Sequence, residues 1–157
     1  MSINFQIKAL PAENFNHLFN LDKKELKNLG AIRMTVDKKP GFPCRVSLKD
    51  AEVGQEVLLF SYQHHKTYSP YQASGPVFVT TNAIAASPAV NEIPEILQHR
   101  FLSIRAYDEH GMMKASSVVE GHGLKNLLLK IFEADDIAYI HIHNAKAGCY
   151  NCLVERA

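Results

Sequence analysis

The size and charge of the chain restrict the classes of protein to which it can belong. It has 157 residues, of which 46% are hydrophobic and 21% are charged, values typical of a single globular domain over residues 1–157. Seventeen lysines and arginines against 16 acids leave a formal net charge of +1, without a long run of either sign. Nucleic acid and anionic membranes are therefore not expected partners.

The N-terminal sequence and the cysteine content predict a cytoplasmic protein. MSINFQIKALPAENF lacks the basic start and the long apolar stretch of a secretion signal, and no window approaches the ~18 uninterrupted apolar residues of a membrane span. Cys44, Cys149 and Cys152 are an odd number of cysteines and too few for a secreted disulfide scaffold. We therefore expect reduced thiols.

In the first half of the chain, short apolar runs predict strands and helices separated by turns. Residues 4–10 alternate apolar and polar side chains, which favours a half-buried strand ended by Pro11. Two short helices are expected next, the second capped by Asp22 and ended by Gly30. Further strands are predicted over 31–36, 57–62 and 77–81, with turns at 37–43, a long irregular connection at 64–76 and a surface connection at 84–95.

The second half has a clearer pattern. Strands over 101–107 and 112–119 flank a four-residue turn and predict a hairpin. Apolar residues at helical spacing predict a helix after Gly123, and strands follow over 137–144 and 149–155. The helix makes the strands on either side of it parallel if they share a sheet.

These elements predict the α+β class. We expect one domain with a mixed, mostly antiparallel sheet of about seven or eight strands and with helices on one sheet face. The order of its C-terminal half is strand, strand, helix, strand, strand.

The last predicted hairpin carries an unusual number of reactive side chains. Because successive side chains in a strand point to opposite faces, Tyr139, His141 and His143 share one face, while Ile140 and Ile142 share the other. One face is suited to a core and the other to chemistry.

The register of this hairpin predicts a candidate metal site. A direct AKAG turn pairs His143 with Tyr150 and His141 with Cys152. Histidine and thiolate are good zinc ligands, and His141, His143 and Cys152 would then reach a common point. The alternatives are buried, inert cysteines or a redox pair, although the strand-forming residues after Cys149 and Cys152 leave no helix to activate a thiol.

A second strand sorts its side chains in the same way. Arg105 and Tyr107 share one face of the strand over 101–107, while its apolar residues take the other. If both strands belong to one sheet, Arg105 lies near the histidines and can hold a small anionic molecule by paired hydrogen bonds. The alternative is an ion pair with Asp108 or a glutamate.

Two further groups are weaker candidates. Cys44 lies beside Arg45, whose charge would favour a thiolate if the two side chains turned the same way, although neighbours in an extended segment usually diverge. Tyr71 belongs to a segment that can close over a sheet-face pocket or form a solvated aromatic surface. The aromatic and histidine residues of that segment are His64, His65, Tyr68 and Tyr71.

Several segments in order resemble a known family. They are GFPCR, AEVGQEVLLFSYQ, SPYQASGPVFV, RAYD and AYIHIHNAKAGCYNCLVERA. From residue 41 to the C-terminus the chain is similar to the domain of unknown function 1203 family of uncharacterised small bacterial proteins. The resemblance implies a small, stand-alone, soluble bacterial protein with no assigned reaction, and it supplies no catalytic residues.

Two functional hypotheses remain open. The first is a small-molecule or metal-binding protein, enzymatic or not, with a site on the polar sheet face lined by Arg105, Tyr107, His141, His143 and Cys152. Arg45 and Tyr71, from other segments, are further candidate ligand-binding residues. In an enzyme, a histidine would act as general acid or base while Arg105 held an anionic group. The second is a non-catalytic interaction or regulatory module in which these side chains form a satisfied polar network.

Overall fold

Two antiparallel sheets form the framework of the computed structural model, which describes residues 2–157. The eight strands of these residues are β1 (Phe5–Lys8), β2 (Ile32–Thr35), β3 (Glu56–His65), β4 (Ala73–Thr80), β5 (Phe101–Tyr107), β6 (Met113–Glu120), β7 (Tyr139–Asn144) and β8 (Tyr150–Arg156). The five-stranded sheet has the order β1-β8-β7-β5-β6, and the three-stranded sheet has the order β2-β3-β4. The α+β class and the number of strands are confirmed.

The expected single mixed sheet is replaced by these two sheets, whose neighbouring strands are all antiparallel. β6 and β7 run parallel, as predicted for the strands on either side of a helix. They are not neighbours, however, because β5 lies between them and pairs with both. The C-terminal order of strand, strand, helix, strand, strand is confirmed.

The helices are short and are defined by local signals. They are α1 (Lys23–Asn28), α2 (Glu95–Gln98) and α3 (Leu124–Ile131), accompanied by 3-10 segments at Ala12–Asn14, Asn16–Asn20 and Gly121–Gly123. Asp22 caps α1 as predicted: its side chain accepts from the Glu25 backbone N–H, and the Glu25 side chain accepts from the Asp22 backbone N–H. Gly30 follows with φ +72°, a conformation that favours glycine. Among the described residues, no helix is long and apolar enough to span a membrane.

The apolar face of the five-stranded sheet supports the first core. Ile104, Ile140 and Ile142 belong to one hydrophobic cluster with Leu124 and Leu128 of α3, and all five side chains are fully buried. Burial of each such side chain contributes about 1.5–3 kcal/mol. This layer fixes which face of β5 and β7 is left for polar groups, since their side chains alternate.

The three-stranded sheet covers the opposite, polar face of the larger sheet. Leu58 and Phe60 of β3, Val77 of β4 and Phe15 form a second core with Tyr150 of β8. Phe60 and Phe15 pack with their ring centroids 5.3 Å apart. The polar side chains of β5 and β7 therefore lie between two sheets, where His141 and His143 are buried and Ser103, Arg105 and Tyr139 are half-buried.

Candidate functional site

The register between β5 and β7 places the predicted polar residues side by side. Arg105 lies opposite His141, Ser103 opposite His143, and Tyr107 opposite Tyr139. Directly opposed residues in an antiparallel pair share a sheet face. The structure thus puts Arg105 and Tyr107 on the same face as both histidines.

An extra residue in β8 removes Cys152 from this face. Ile142 pairs with Cys152, but His143, the next residue of β7, pairs with Tyr150, so Asn151 is accommodated in a bulge. Tyr150 therefore points to the polar face and Cys152 to the apolar core, where its side chain is 1% exposed and burial raises the pKa of its thiol. The predicted pairing of His141 with Cys152 is wrong, and so is the His141, His143 and Cys152 metal set.

A second bulge, in β3, supplies two histidines from the smaller sheet. Tyr62 pairs with Gly75 and His65 with Ala73, so β3 advances three residues while β4 advances two. This extra residue changes the alternation. As a result His64 and His65, although adjacent in sequence, both contact rings of the five-stranded sheet.

Three imidazoles meet between the sheets and form what we call the histidine cluster: His64, His141 and His143. One ring nitrogen from each lies within 4.8 Å of those of the other two. The His64 ring centroid is 4.9 Å from that of His143 and 6.2 Å from that of His141. His141 is 5% and His143 0% exposed, while His64 is intermediate and stacks on Tyr150 with an interplanar angle of 6°.

The hydrogen bonds of the cluster leave three nitrogens without partners. Five buried side-chain nitrogen or oxygen atoms among residues 2–157 lack a hydrogen bond, and three of them are Nδ1 of His64, Nδ1 of His141 and Nε2 of His143. His143 Nδ1 lies 2.8 Å from the Gly148 carbonyl oxygen. Because a carbonyl only accepts, Nδ1 carries the proton and Nε2 presents a lone pair in the neutral ring.

Burial keeps these imidazoles neutral. It is the main cause that lowers the pKa of His64 to about 4 and the pKa values of His141 and His143 to about 3. A neutral imidazole is the form that binds a metal ion. At pH 7 the histidine cluster therefore offers lone pairs without first losing protons.

His65 lies beside the histidine cluster and is held by two hydrogen bonds. Its Nδ1 lies 2.7 Å from the Tyr71 carbonyl oxygen and its Nε2 2.5 Å from the Tyr139 hydroxyl. Since the carbonyl accepts from Nδ1, the neutral ring accepts the Tyr139 proton at Nε2. The His65 ring also packs 4.1 Å from Tyr107, centroid to centroid. Tyr71, a predicted ligand-binding residue, thus contacts His65 through its backbone oxygen. Its ring centroid lies 6.1 Å from that of Tyr107.

Comparison with known proteins gives a family and no reaction. A family model described as "Protein of unknown function (DUF1203)" matches residues 41–156. The chain belongs to the DUF1203 family. No curated protein and no solved structure matches. The DUF1203 match includes the histidine cluster, His65 and Arg105, whereas β1, α1 and β2 precede it.

A cleft gives this DUF1203 protein access to one side of the cluster. It has a volume of about 570 Å³, and its lining includes His64, His141 and Tyr139, together with the charged residues Lys66, Glu155 and Arg156. A larger groove of about 710 Å³ lies between α1 and β2. No histidine or cysteine lines that groove, whereas His64 and His141 line the smaller cleft.

Arg45 and Cys44 of the segment GFPCR lie outside the cluster. Arg45 is 2% exposed and donates to the carbonyl oxygens of Tyr150 and Pro43 at 2.8 and 2.6 Å. Its guanidinium therefore ties two backbone segments together, and burial lowers its pKa to about 10. Cys44 Sγ accepts from the Thr80 backbone N–H and hydroxyl at 3.4 and 3.3 Å inside the second core.

The prediction from sequence did not place His64 beside His141 and His143, because it assigned His64 to an irregular connection. β3 instead extends to His65, which shortens the predicted irregular segment to the residues between β3 and β4. A signal was present in the sequence: Leu58, Phe60, Tyr62 and His64 continue a period of two. That alternation would have placed His64 on the covered face of β3.

Proposed function

We propose that this DUF1203 protein binds a divalent transition metal of the zinc class through His64, His141 and His143. The observation that carries the proposal is the convergence of three neutral imidazoles whose buried nitrogens have no hydrogen-bond partner. An unmade hydrogen bond costs a buried polar group about 1–3 kcal/mol. A metal ion would use all three lone pairs at once.

The donor set indicates which metals fit. Imidazole suits zinc, copper, nickel and iron, whereas magnesium, calcium and manganese favour oxygen ligands. The three cluster residues include no carboxylate and no cysteine. Three histidines are also the protein ligands of one class of catalytic zinc site, in which a fourth position stays open to water or substrate.

The geometry requires a small closure. Zinc bonds of about 2.1 Å in a tetrahedral arrangement separate the nitrogens by about 3.4 Å, and the cluster nitrogens lie within 4.8 Å of one another. His64 is the least buried of the three rings and lies at a bulge, so its rotation is the simplest route. The hydrogen bond from His143 to Gly148 already orients the deepest ring, as outer-shell partners do in metal sites.

The alternative of an interaction module with a satisfied polar network has less support. Such a network requires partners for its buried groups. The three unpartnered nitrogens favour a bound ion instead. We also propose that the protein is cytoplasmic, since Cys44, Cys149 and Cys152 are all free thiols, as expected in a reducing compartment. A bacterial origin is proposed from the family resemblance alone.

Zinc titration tests the metal site. Protein purified without a histidine tag and stripped with a chelator is expected to bind one equivalent of zinc, measured by competition with a metal indicator. His64→Leu is expected to weaken zinc binding by at least about 100-fold, because even changes outside the ligands cost about 10- to 100-fold. His110→Leu is the matched control, since His110 is 78% exposed in the turn between β5 and β6.

The comparison between variants decides the outcome. Zinc binding by the wild type and by His110→Leu, but not by His64→Leu, would support the site. Equal zinc affinity of the wild type and His64→Leu, or no stoichiometric binding by the wild type, would contradict it.

A further inference from the structure

We infer that the ligand completing this metal site is a small oxyanion, such as a carboxylate or a phosphate, whose charge is shared between the metal and Arg105. The inference rests on the proposed function, and it names the chemical class of the molecule that the site would take. It is carried by the position of Arg105, its lack of a charged partner and the charge balance of the site.

Arg105 lies beside the histidine cluster on the same sheet face. It is directly opposite His141 in the β5–β7 register, and Ser103, two residues away, is opposite His143. Directly opposed residues of an antiparallel pair share a sheet face and are immediate neighbours. The register therefore places Arg105 next to two of the three cluster residues.

Arg105 also lacks a charged partner of its own. Within residues 2–157, no carboxylate oxygen lies within 4.0 Å of its guanidinium nitrogens, so the alternative of an ion pair with Asp108 or a glutamate is wrong. The side chain of Arg105 makes one hydrogen bond, from Nε to the Ser103 hydroxyl at 3.4 Å. By contrast, Arg33 contacts Glu56 and Arg100 contacts Asp50.

The charge balance then points to an anion. Three neutral imidazoles leave the +2 charge of a zinc ion uncompensated, and Arg105 adds a further positive charge in a partly buried position. Like charges in a medium of reduced dielectric repel strongly. An oxyanion on the open metal position would neutralise part of this charge, and a guanidinium presents two parallel N–H donors that match two oxygens.

Arg105→Met tests the inference because it is expected to weaken anion binding and to strengthen zinc binding. In the cobalt-loaded protein, acetate and inorganic phosphate are titrated separately while the visible absorption of the metal is followed. The wild type is expected to bind at least one of them saturably, and Arg105→Met is expected to bind it about 10- to 100-fold more weakly, as lost hydrogen bonds to charged groups imply. In the absence of either anion, Arg105→Met is expected to bind zinc more tightly than the wild type, because a repelling charge is gone.

Arg33→Met is the matched control for the loss of one positive charge. Arg33 lies on β2 of the smaller sheet and pairs with Glu56, so both readouts are expected to stay at their wild-type values. Unchanged anion binding in Arg105→Met, weaker zinc binding in that variant, or no saturable binding of either anion to the loaded wild type would overturn the inference. If the wild type binds no metal, the proposed function itself fails, and the zinc titration shows this before any anion is added.

Discussion

Two buried polar groups of side chains in this protein differ in how completely they are paired. In the first, Asp50 accepts from Arg100 at 2.5 and 3.1 Å and lies 3.1 Å from His99 Nε2, with its side chain 1% exposed. In the second, the histidine cluster, three buried nitrogens have no partner. Both are withdrawn from water, but only the Asp50 group has its charges and hydrogen bonds satisfied.

This difference in pairing indicates that the Asp50 group stabilises the fold and that the histidine cluster binds a ligand. A paired buried carboxylate holds its neighbours in place, and Asp50 links the segment after Cys44 to Arg100 at the start of β5. Unpaired buried imidazoles lower stability by the cost of their unmade hydrogen bonds. A bound ligand would supply the partners that these nitrogens lack. We therefore assign a binding function to the histidine cluster and a structural one to Asp50.

The largest effect is expected when the Asp50 group is broken. Asp50→Ala leaves the mostly buried guanidinium of Arg100 without its carboxylate, and loss of one partner of a buried pair costs about 3–5 kcal/mol. The free energy of unfolding, measured by urea denaturation at pH 7.5, is expected to fall by that amount.

Zinc binding by Asp50→Ala is expected to equal that of the wild type, because Asp50 is not among the cluster residues. If Asp50→Ala lowered the free energy of unfolding by less than about 1 kcal/mol, the Asp50 group would not be an important stabilising interaction.

A second, smaller effect is expected from acid on the metal-free protein. Burial is the first cause that lowers the pKa values of His141 and His143 to about 3, whereas the unfolded chain has a histidine pKa of about 6.5. Below pH 6.5 the unfolded state therefore binds more protons than the folded state, so stability is complete above this pH and falls as the pH falls towards the folded values.

Between pH 6 and pH 5 these two histidines together should remove about 2 kcal/mol from the free energy of unfolding, and His64, whose pKa burial lowers to about 4, adds to this loss. Urea denaturation at a series of pH values measures the loss, and His141→Leu should reduce it by about one third. A free energy of unfolding that stays constant from pH 6.5 to pH 5 would show that these rings are protonated in the folded state.

Much of the fold could be predicted because the signals are local. The alternation of residues 101–107 and 139–143 defines the two faces of β5 and β7, and the spacing of the leucines predicts α3. The same alternation placed Arg105 beside the histidines, as the register confirms. These features depend on neighbours within one strand or one helix, which the sequence displays directly.

The parts that were wrong depend on contacts between distant segments. A bulge at Asn151 moves Cys152 to the core, and a bulge before His65 turns His65 to the face that His64 already occupies. A bulge inserts one residue into a ladder without changing the local residue pattern in a recognisable way. The division of eight strands into two sheets is likewise decided by packing across the polar face, where Tyr150 meets residues of β3 and β4.

The smallest effect on stability is expected from His64→Leu in the metal-free protein, and it completes the comparison with Asp50. The substitution removes an unpartnered nitrogen, which destabilises the folded state by about 1–3 kcal/mol. It also removes the stacking of His64 on Tyr150, which stabilises the folded state by about 0.5–1.5 kcal/mol. These two effects oppose each other, so the free energy of unfolding should stay within about 1 kcal/mol of the wild-type value. Saturating zinc should then raise the melting temperature of the wild type but not that of His64→Leu, because ligand binding stabilises only a folded state that has the site. A destabilisation above about 2 kcal/mol without zinc would place the histidine cluster, like Asp50, among the structural groups of the protein.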